Sequence, residues 1–477
     1  MGALKPTLIR GGLESLYFTG AHRWLTPLVG GVGAILTLHH VRPARPGRFQ
    51  PNRLLEVTPG FFNRVIKYLR SADVDLVSLD EVHRRLVERD FSRRFVCLTF
   101  DDGYRDTLQI AYPLLKAEGI PLAVYVATSF PDRLGELWWL VLEAVIANND
   151  RIGLSIDGRN RTFDCETVAE KRALYDELYW WLRARPTEIE LREVIRNLAA
   201  CYHVDIAAFC KTLCMSWQEL AKLAADPLVT IGAHTVSHPM LAKLPENSAR
   251  SEIDLSRSVI EAALDKRPEH LAFPVGDRTS AGAREFAIAA ELGFKTAVTT
   301  HPGVLFPGHR DRLTALPRIS LNGEYQRLRY VRVLLSGSAT AVWNGFRGLE
   351  AAEAGTSDSD VGFFGFRILI GFFARAHPGH DRHGGQYPAD AGNHVIGDRH
   401  GRAIVDGWRL RQRHGDERPH DHQNEQGDGA EKFAQANRHG DWGVNEQLQW
   451  CAAARNDVIA GQGAALYGPR VPHKRAA

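Results

Sequence analysis

The stretch CLTFDDGYRDT, residues 97–107, closes an apolar run with two adjacent aspartates and a glycine. The run starts earlier, as RFVCLTF (94–100), and is apolar on both faces, the pattern of a strand buried inside a parallel sheet. Asp101 and Asp102 then stand at the C-terminal end of that strand. In α/β barrels this end carries the chemistry. Gly103 permits a sharp turn, so successive side chains can aim in different directions. Neighbouring carboxylates repel unless a cation or a proton separates their roles. A metal beside one and proton-accepting work for the other is one physical solution. A strand-end turn with aspartate capping is the plain alternative.

Outward from this strand the chain alternates. GAILTLHH (33–40) reads as a strand, and TPGFFNRVIKYLRSA (58–72) as a helix with Thr58 as N-cap and Pro59 at its first position. VDLVSL (74–79), IPLAVYVAT (120–128), LVTIGAH (228–234), HLAFPVG (270–276), KTAVTT (295–300) and ALPRISL (315–321) are further strands, with helical spacing in 107–119, 247–264 and 280–293. The expected fold is a distorted (β/α) barrel of about seven strands over residues 33–335, after an N-terminal lead-in, 1–32. Residues 131–226 break the alternation and read as a nearly all-helical insertion on the barrel rim. Its tryptophans (138, 139, 180, 181, with 217) suit either a sugar-stacking platform or an ordinary helical core.

The 477 residues carry a net charge of only +3, and no basic patch is interleaved with aromatics, so no nucleic-acid partner is expected. Six scattered cysteines (97, 165, 201, 210, 214, 451) form neither a zinc ribbon nor a disulfide framework and read as reduced thiols. The N-terminus is too polar for a secretory signal. The apolar runs 28–38 and 361–373 are too short to span a bilayer. A cytoplasmic enzyme, at most loosely membrane-associated, is expected. Beyond about residue 355 the periodicity stops, and half of the 20 histidines lie past residue 376. Metal binding, a disordered tail and out-of-frame translation of a GC-rich gene all suit that composition; residues 356–477 are taken as a disordered or out-of-frame tail.

A second chemical stretch is TIGAHTVSHPML, 230–241. His234 follows another strand end, and His238 is four residues on. On a helical turn both imidazoles would share a face and could reach one ion. A capping histidine beside a surface one is the plain alternative. Two histidines and one aspartate would make a facial metal site with open positions.

TFDDG followed by HTVSH resembles the NodB-type polysaccharide deacetylases, over roughly Ile35 to Leu335. The resemblance implies a distorted barrel and a metal-dependent hydrolase, with Zn²⁺ the expected ion, that removes N-acetyl, sometimes O-acetyl, groups from an acetylated glycan such as a chitooligosaccharide, peptidoglycan or exopolysaccharide. It implies Asp101 as general base, and Asp102, His234 and His238 as metal ligands. FPVG (273–276) resembles the family's third motif, which makes the Val275 N–H an oxyanion donor. The family's arginine two positions before that proline is replaced by Ala272, so Arg318 or Arg278 is expected to orient Asp101 instead. The family's catalytic histidine has no late copy here; TLHHV (37–41) implies His39 as general acid, with His40 as the alternate. The departures at Ala272 and Val275 leave a binding-only barrel as the alternative function.

Overall fold

The computed structural model describes residues 4–344, apart from 157 and 158. Seven parallel strands close a ring: β1 Gly33–Leu38, β2 Phe95–Phe100, β3 Leu122–Val126, β4 Val229–Ala233, β5 His270–Ala272, β6 Thr296–Pro302 and β7 Leu316–Ser320. Their order round the ring is β1-β7-β6-β5-β4-β3-β2, and β1 pairs with both β7 and β2 to close it. β1 and β2 are buried at all six positions, as strands with packed interior and covered exterior must be.

The barrel is distorted at one edge. VDLVSL (74–79) is strand only at Asp75–Leu76, which pairs with Phe95 and Val96. β3 takes over that edge from Leu98 onward. The remaining ladder is thus shared between two short neighbours. Helix Pro59–Ser71 is capped by Thr58, whose hydroxyl accepts from the Phe61 N–H, with Pro59 at its start. It buries Phe61, Phe62, Val65, Ile66 and Leu69.

Two helices, Leu4–Phe18 and Ala21–Val29, precede β1. Between β3 and β4 the chain makes helices Trp138–Ala147, Val168–Arg183, Glu188–Cys201, Ile206–Leu213 and Trp217–Ala224. The expectation of a nearly all-helical insertion is corrected in one place. Arg151–Ile156 and Arg159–Asp164 form an antiparallel hairpin. The first of these strands buries Ile152, Leu154 and Ile156 at every second position, a period of two inside an otherwise helical segment. These elements share one apolar core, and Trp138, Tyr175, Leu178 and Leu198 are in it. The segment returns to the barrel at the strand-end turn, where Met215 N–H donates to Gly103 O at 3.0 Å. The five described cysteines are all free thiols and buried. The tail read from residue 356 onward lies outside the described residues.

Candidate functional site

β2 continues one residue beyond its strand: the Asp101 N–H donates to Leu38 O on β1 at 2.9 Å. The chain then turns through two successive left-handed residues, Asp102 (φ 68°) and Gly103 (φ 61°). That turn sends the two carboxylates in different directions, and both are buried. Left-handed φ at a non-glycine residue carries a strain cost and concentrates at functional sites. Of eight such residues among those described, Asp102, Thr235, His238 and Val275 surround this centre.

Asp102 Oδ1 lies 3.4 Å from His234 Nε2 and 3.3 Å from His238 Nε2. All three residues are buried, and their ligand atoms sit within 4.8 Å of one another. His234 Nδ1 is 2.7 Å from Ala272 O, a group that can only accept, so Nδ1 carries the proton and Nε2 presents a lone pair. Asp102 Oδ1 is buried and has no hydrogen-bond partner among the described residues. Acceptor atoms converging on one buried point leave a gap in charge that a divalent cation fills, and the donor set suits one.

The expected helical turn for His234–His238 is absent. The stretch is a bend after β4, with Thr235 (φ 65°) and His238 (φ 58°) left-handed. The Thr235 hydroxyl accepts from the His238 N–H at 3.1 Å. Glu252 accepts from the Val236 and Ser237 N–H groups, each at 2.9 Å, and from the Ser237 hydroxyl. Arg192, on an insertion helix, donates to Ser237 O at 2.9 Å and His238 O at 3.3 Å. The bend is therefore held by charged side chains that sequence reading missed. A buried arginine at 192 and a glutamate at 252 look like ordinary helix residues until the loop they grip is in place.

Asp101 meets a buried guanidinium. Arg318 Nη1 donates to Oδ1 at 2.8 Å and Nη2 to Oδ2 at 2.7 Å, a bidentate pair. Arg318 also donates to Thr99 Oγ1 and Thr299 O, and its guanidinium carbon lies 5.8 Å from the Tyr125 ring centroid. Gly232 makes room for that ring, since a Cβ there would stand 2.4 Å from it. Burial pushes Asp101 up, and Arg318 more than offsets it, so the carboxyl stays below its ordinary range. Arg278, the other candidate, is half-buried in the loop after Val275 and is not the partner of this pair.

His39 and His40 point to different places, as adjacent residues leaving a strand do. His39 Nε2 lies 4.0 Å from Asp101 Oδ2. Burial pushes its imidazole below the ordinary value, against the pull of Asp101 and Asp102. His40 Nδ1 is instead 2.6 Å from Asp106 Oδ2, and its ring stacks on Tyr104 at 3.6 Å. Val275 is the centre of a tight turn: Gly276 N–H donates to Pro274 O at 2.6 Å across a positive φ of 61°. Among the described residues nothing accepts from the Val275 N–H.

The insertion's tryptophans divide. Trp138 is core, stacked on Tyr179. Trp139 is mostly buried, and its ring centroid lies 5.1 Å from that of His238. Its indole N–H is buried without a partner among the described residues. Trp217 donates to Asp132, Trp181 lies under Arg185, and Trp180 is exposed beside Arg183.

The polysaccharide deacetylase family model matches residues 88–154 and 191–297. Those segments hold Asp101, Asp102, His234, His238 and Val275, and leave out His39 and Arg318. A search of curated proteins found no match. Among solved structures, the Streptococcus pyogenes deacetylase PplD, in complex with acetate, is 17% identical, over 63% of this chain and 97% of that one, with a TM-score of 0.42. IcaB from Ammonifex degensii is 17% identical over 64% and 96%, with a TM-score of 0.39. The BpsB deacetylase domain from Bordetella bronchiseptica is 18% identical over 60% and 94%, with a TM-score of 0.35. Residues 88–154 and 191–297, which carry TFDDG and HTVSH at the ends of parallel barrel strands, match a polysaccharide deacetylase domain.

Proposed function

We propose that the chain is a metal-dependent hydrolase that removes acetyl groups, N-acetyl in the first place, from a sugar oligomer or polysaccharide. The observation that carries this is the convergence of Asp102 Oδ1 with two imidazole nitrogens while the paired Asp101 stands alongside. Asp102, His234 and His238 would hold the ion, with Zn²⁺ favoured for a two-histidine, one-carboxylate set. When bound it supplies Lewis-acid chemistry, acidifying water and polarising the acetyl carbonyl.

The chain's own residues supply the rest. Asp101, kept ionised and oriented by Arg318, accepts a proton from the attacking water. The water oxygen bonds to the amide carbon, and the Val275 N–H donates to the oxygen that becomes negative. His39, in its protonated form, gives its proton to the sugar nitrogen as the carbon–nitrogen bond breaks. Its burial makes that form a stronger donor. Acetate and a free amine result. Trp139 packs its ring beside His238 and walls that side of the site.

Ala272 motivates a binding-only alternative. The guanidinium of Arg318, reaching Asp101 from another strand, favours catalysis over it. Acetate release from acetylated glycans, with and without chelator, tests the reading. Asp101→Asn should keep metal and lose turnover, and His234→Ala should lose the metal by elemental analysis. Near-full deacetylation by the first, or unchanged metal in the second, overturns the assignments. An intracellular glycan precursor is the proposed substrate, in a cytoplasmic location that cell fractionation tests.

A further inference from the structure

Helix Ala21–Val29 is folded the wrong way round for a helix in water. It buries His22 and turns Arg23, Trp24, Pro27 and Leu28 outward. Trp24 is 82% exposed and Leu28 78%. These two are a helical turn apart, on one face. At the corner between this helix and the preceding one, Phe18 is 72% exposed, with the Arg329 guanidinium 5.6 Å from its ring centroid. The preceding helix is packed normally, with Leu13 and Leu16 against Tyr330 and Val333. A soluble helix ordinarily buries its apolar stripe.

The same helix borders a cavity of about 310 Å³, lined by His22, Arg23, Thr26, Tyr68, Arg94 and Arg332 among others. Among the described residues no carboxylate lines it, and the Nε atoms of Arg94 and Arg332 are buried without partners. Helix Ala21–Val29 holds no acidic residue, and Glu14 on its neighbour is already taken by Arg329 and Tyr330.

We propose that this apolar face and the arginine cavity beside it dock the protein on the surface of an anionic phospholipid bilayer. Trp24, Leu28 and Phe18 enter the headgroup boundary, where an amphipathic ring is best placed. Arg23 and the cavity guanidiniums take a lipid phosphate. A second copy of the chain is a poor occupant. A two-fold interface would lay one copy of this face on another, and helix Ala21–Val29 of neither copy offers a carboxylate to the facing Arg23. Gly30 and Arg94, beside the cavity, precede β1 and β2, whereas Asp101 and Asp102 follow β2. Docking therefore leaves the deacetylase site facing the aqueous phase, away from the lipid.

The test is co-sedimentation of the full chain with vesicles of phosphatidylglycerol and phosphatidylcholine, against phosphatidylcholine alone. Binding to the anionic vesicles, weakened by salt, is expected. Trp24→Ala with Leu28→Ala should lower partitioning about tenfold or more, Arg23→Glu should lower it too, and Trp24→Phe should retain it. An unchanged melting temperature certifies the fold independently of any activity. No vesicle binding, equal binding by the double variant, or an alanine variant that instead abolishes a concentration-dependent dimer in light scattering would each overturn the proposal. Loss of binding in millimolar inorganic phosphate at constant ionic strength, with neutral vesicles bound equally, would also overturn it, in favour of a free-anion site.

Discussion

Replacing Arg318 by methionine tests the electrostatic heart of the site. The guanidinium is fully buried and makes two short bonds to Asp101, with two more to Thr99 and Thr299. Methionine keeps much of the volume and removes every donor. Asp101 is then left as a buried carboxylate with the Thr37 hydroxyl at 3.3 Å and no cationic partner of comparable geometry. Breaking a buried pair from one side costs about 3–5 kcal/mol. Asp101→Asn strands the guanidinium instead and should cost a similar amount. The double variant removes both charges, so its cost should fall short of the summed single costs by about 2 kcal/mol or more, well outside the ~0.5 kcal/mol of independent sites. Urea unfolding followed by circular dichroism supplies the three free energies. Acetate release should fall about a hundredfold or more in Arg318→Met. Its acid limb should move to higher pH, because burial raises the Asp101 carboxyl and the strongest group opposing it is then gone. Arg318→Lys keeps the charge but loses the fork and should recover only part of the rate. Strictly additive costs, or an Arg318→Met chain as stable as the parent, would refute the view that the pair is one energetic unit.

Three further outcomes are expected. His39→Asn should lower kcat by about 10²-fold or more with metal content intact, whereas His40→Asn should chiefly lower stability through its lost bond to Asp106; the reverse pattern would exchange the two roles. His309 is buried and its Nδ1 accepts from the Phe306 N–H, and burial lowers its pKa to about 4. The unfolded chain binds that proton near pH 6.5 and the folded chain does not, so up to about 3 kcal/mol of stability, complete above pH 6.5, should fade as pH drops toward 4. His309→Phe should flatten that part of the stability–pH curve, and an unchanged slope would assign it elsewhere. Arg192→Met should loosen the His238 bend, lowering metal affinity while Asp101→Asn does not, as read by chelator competition.

Much of the barrel was legible because its strands are local signals. Apolar runs of five or six residues ending in turn residues need no partner to be recognised, and β1 and β2 are buried throughout as such runs predict. The insertion's hairpin was not legible. Its strand Arg159–Asp164 is mostly exposed and carries little apolar alternation, so only pairing with Arg151–Ile156 defines it. HxxxH likewise implies shared reach but not its conformation. A helical turn and a left-handed bend both bring residues i and i+4 together, and the grip of Glu252 and Arg192 selects the bend.

Residue types and strand ends were set along the chain: which carboxylates are adjacent, where the glycine turn falls, which histidines follow a strand. What folding alone decided was who meets whom. Asp101 could have been served by an arginine at 278 or at 318, and ring closure brings β7 beside β1, so the guanidinium 217 residues away arrives at the carboxylate. His39 was the expected acid and His40 its alternate; in the fold Asp106 takes His40, and His39 lies 4.0 Å from Asp101. Periodicity records which face of an element is buried; it holds no information on the distant group that fills the space across from it, because that is fixed only when the last strand closes the ring.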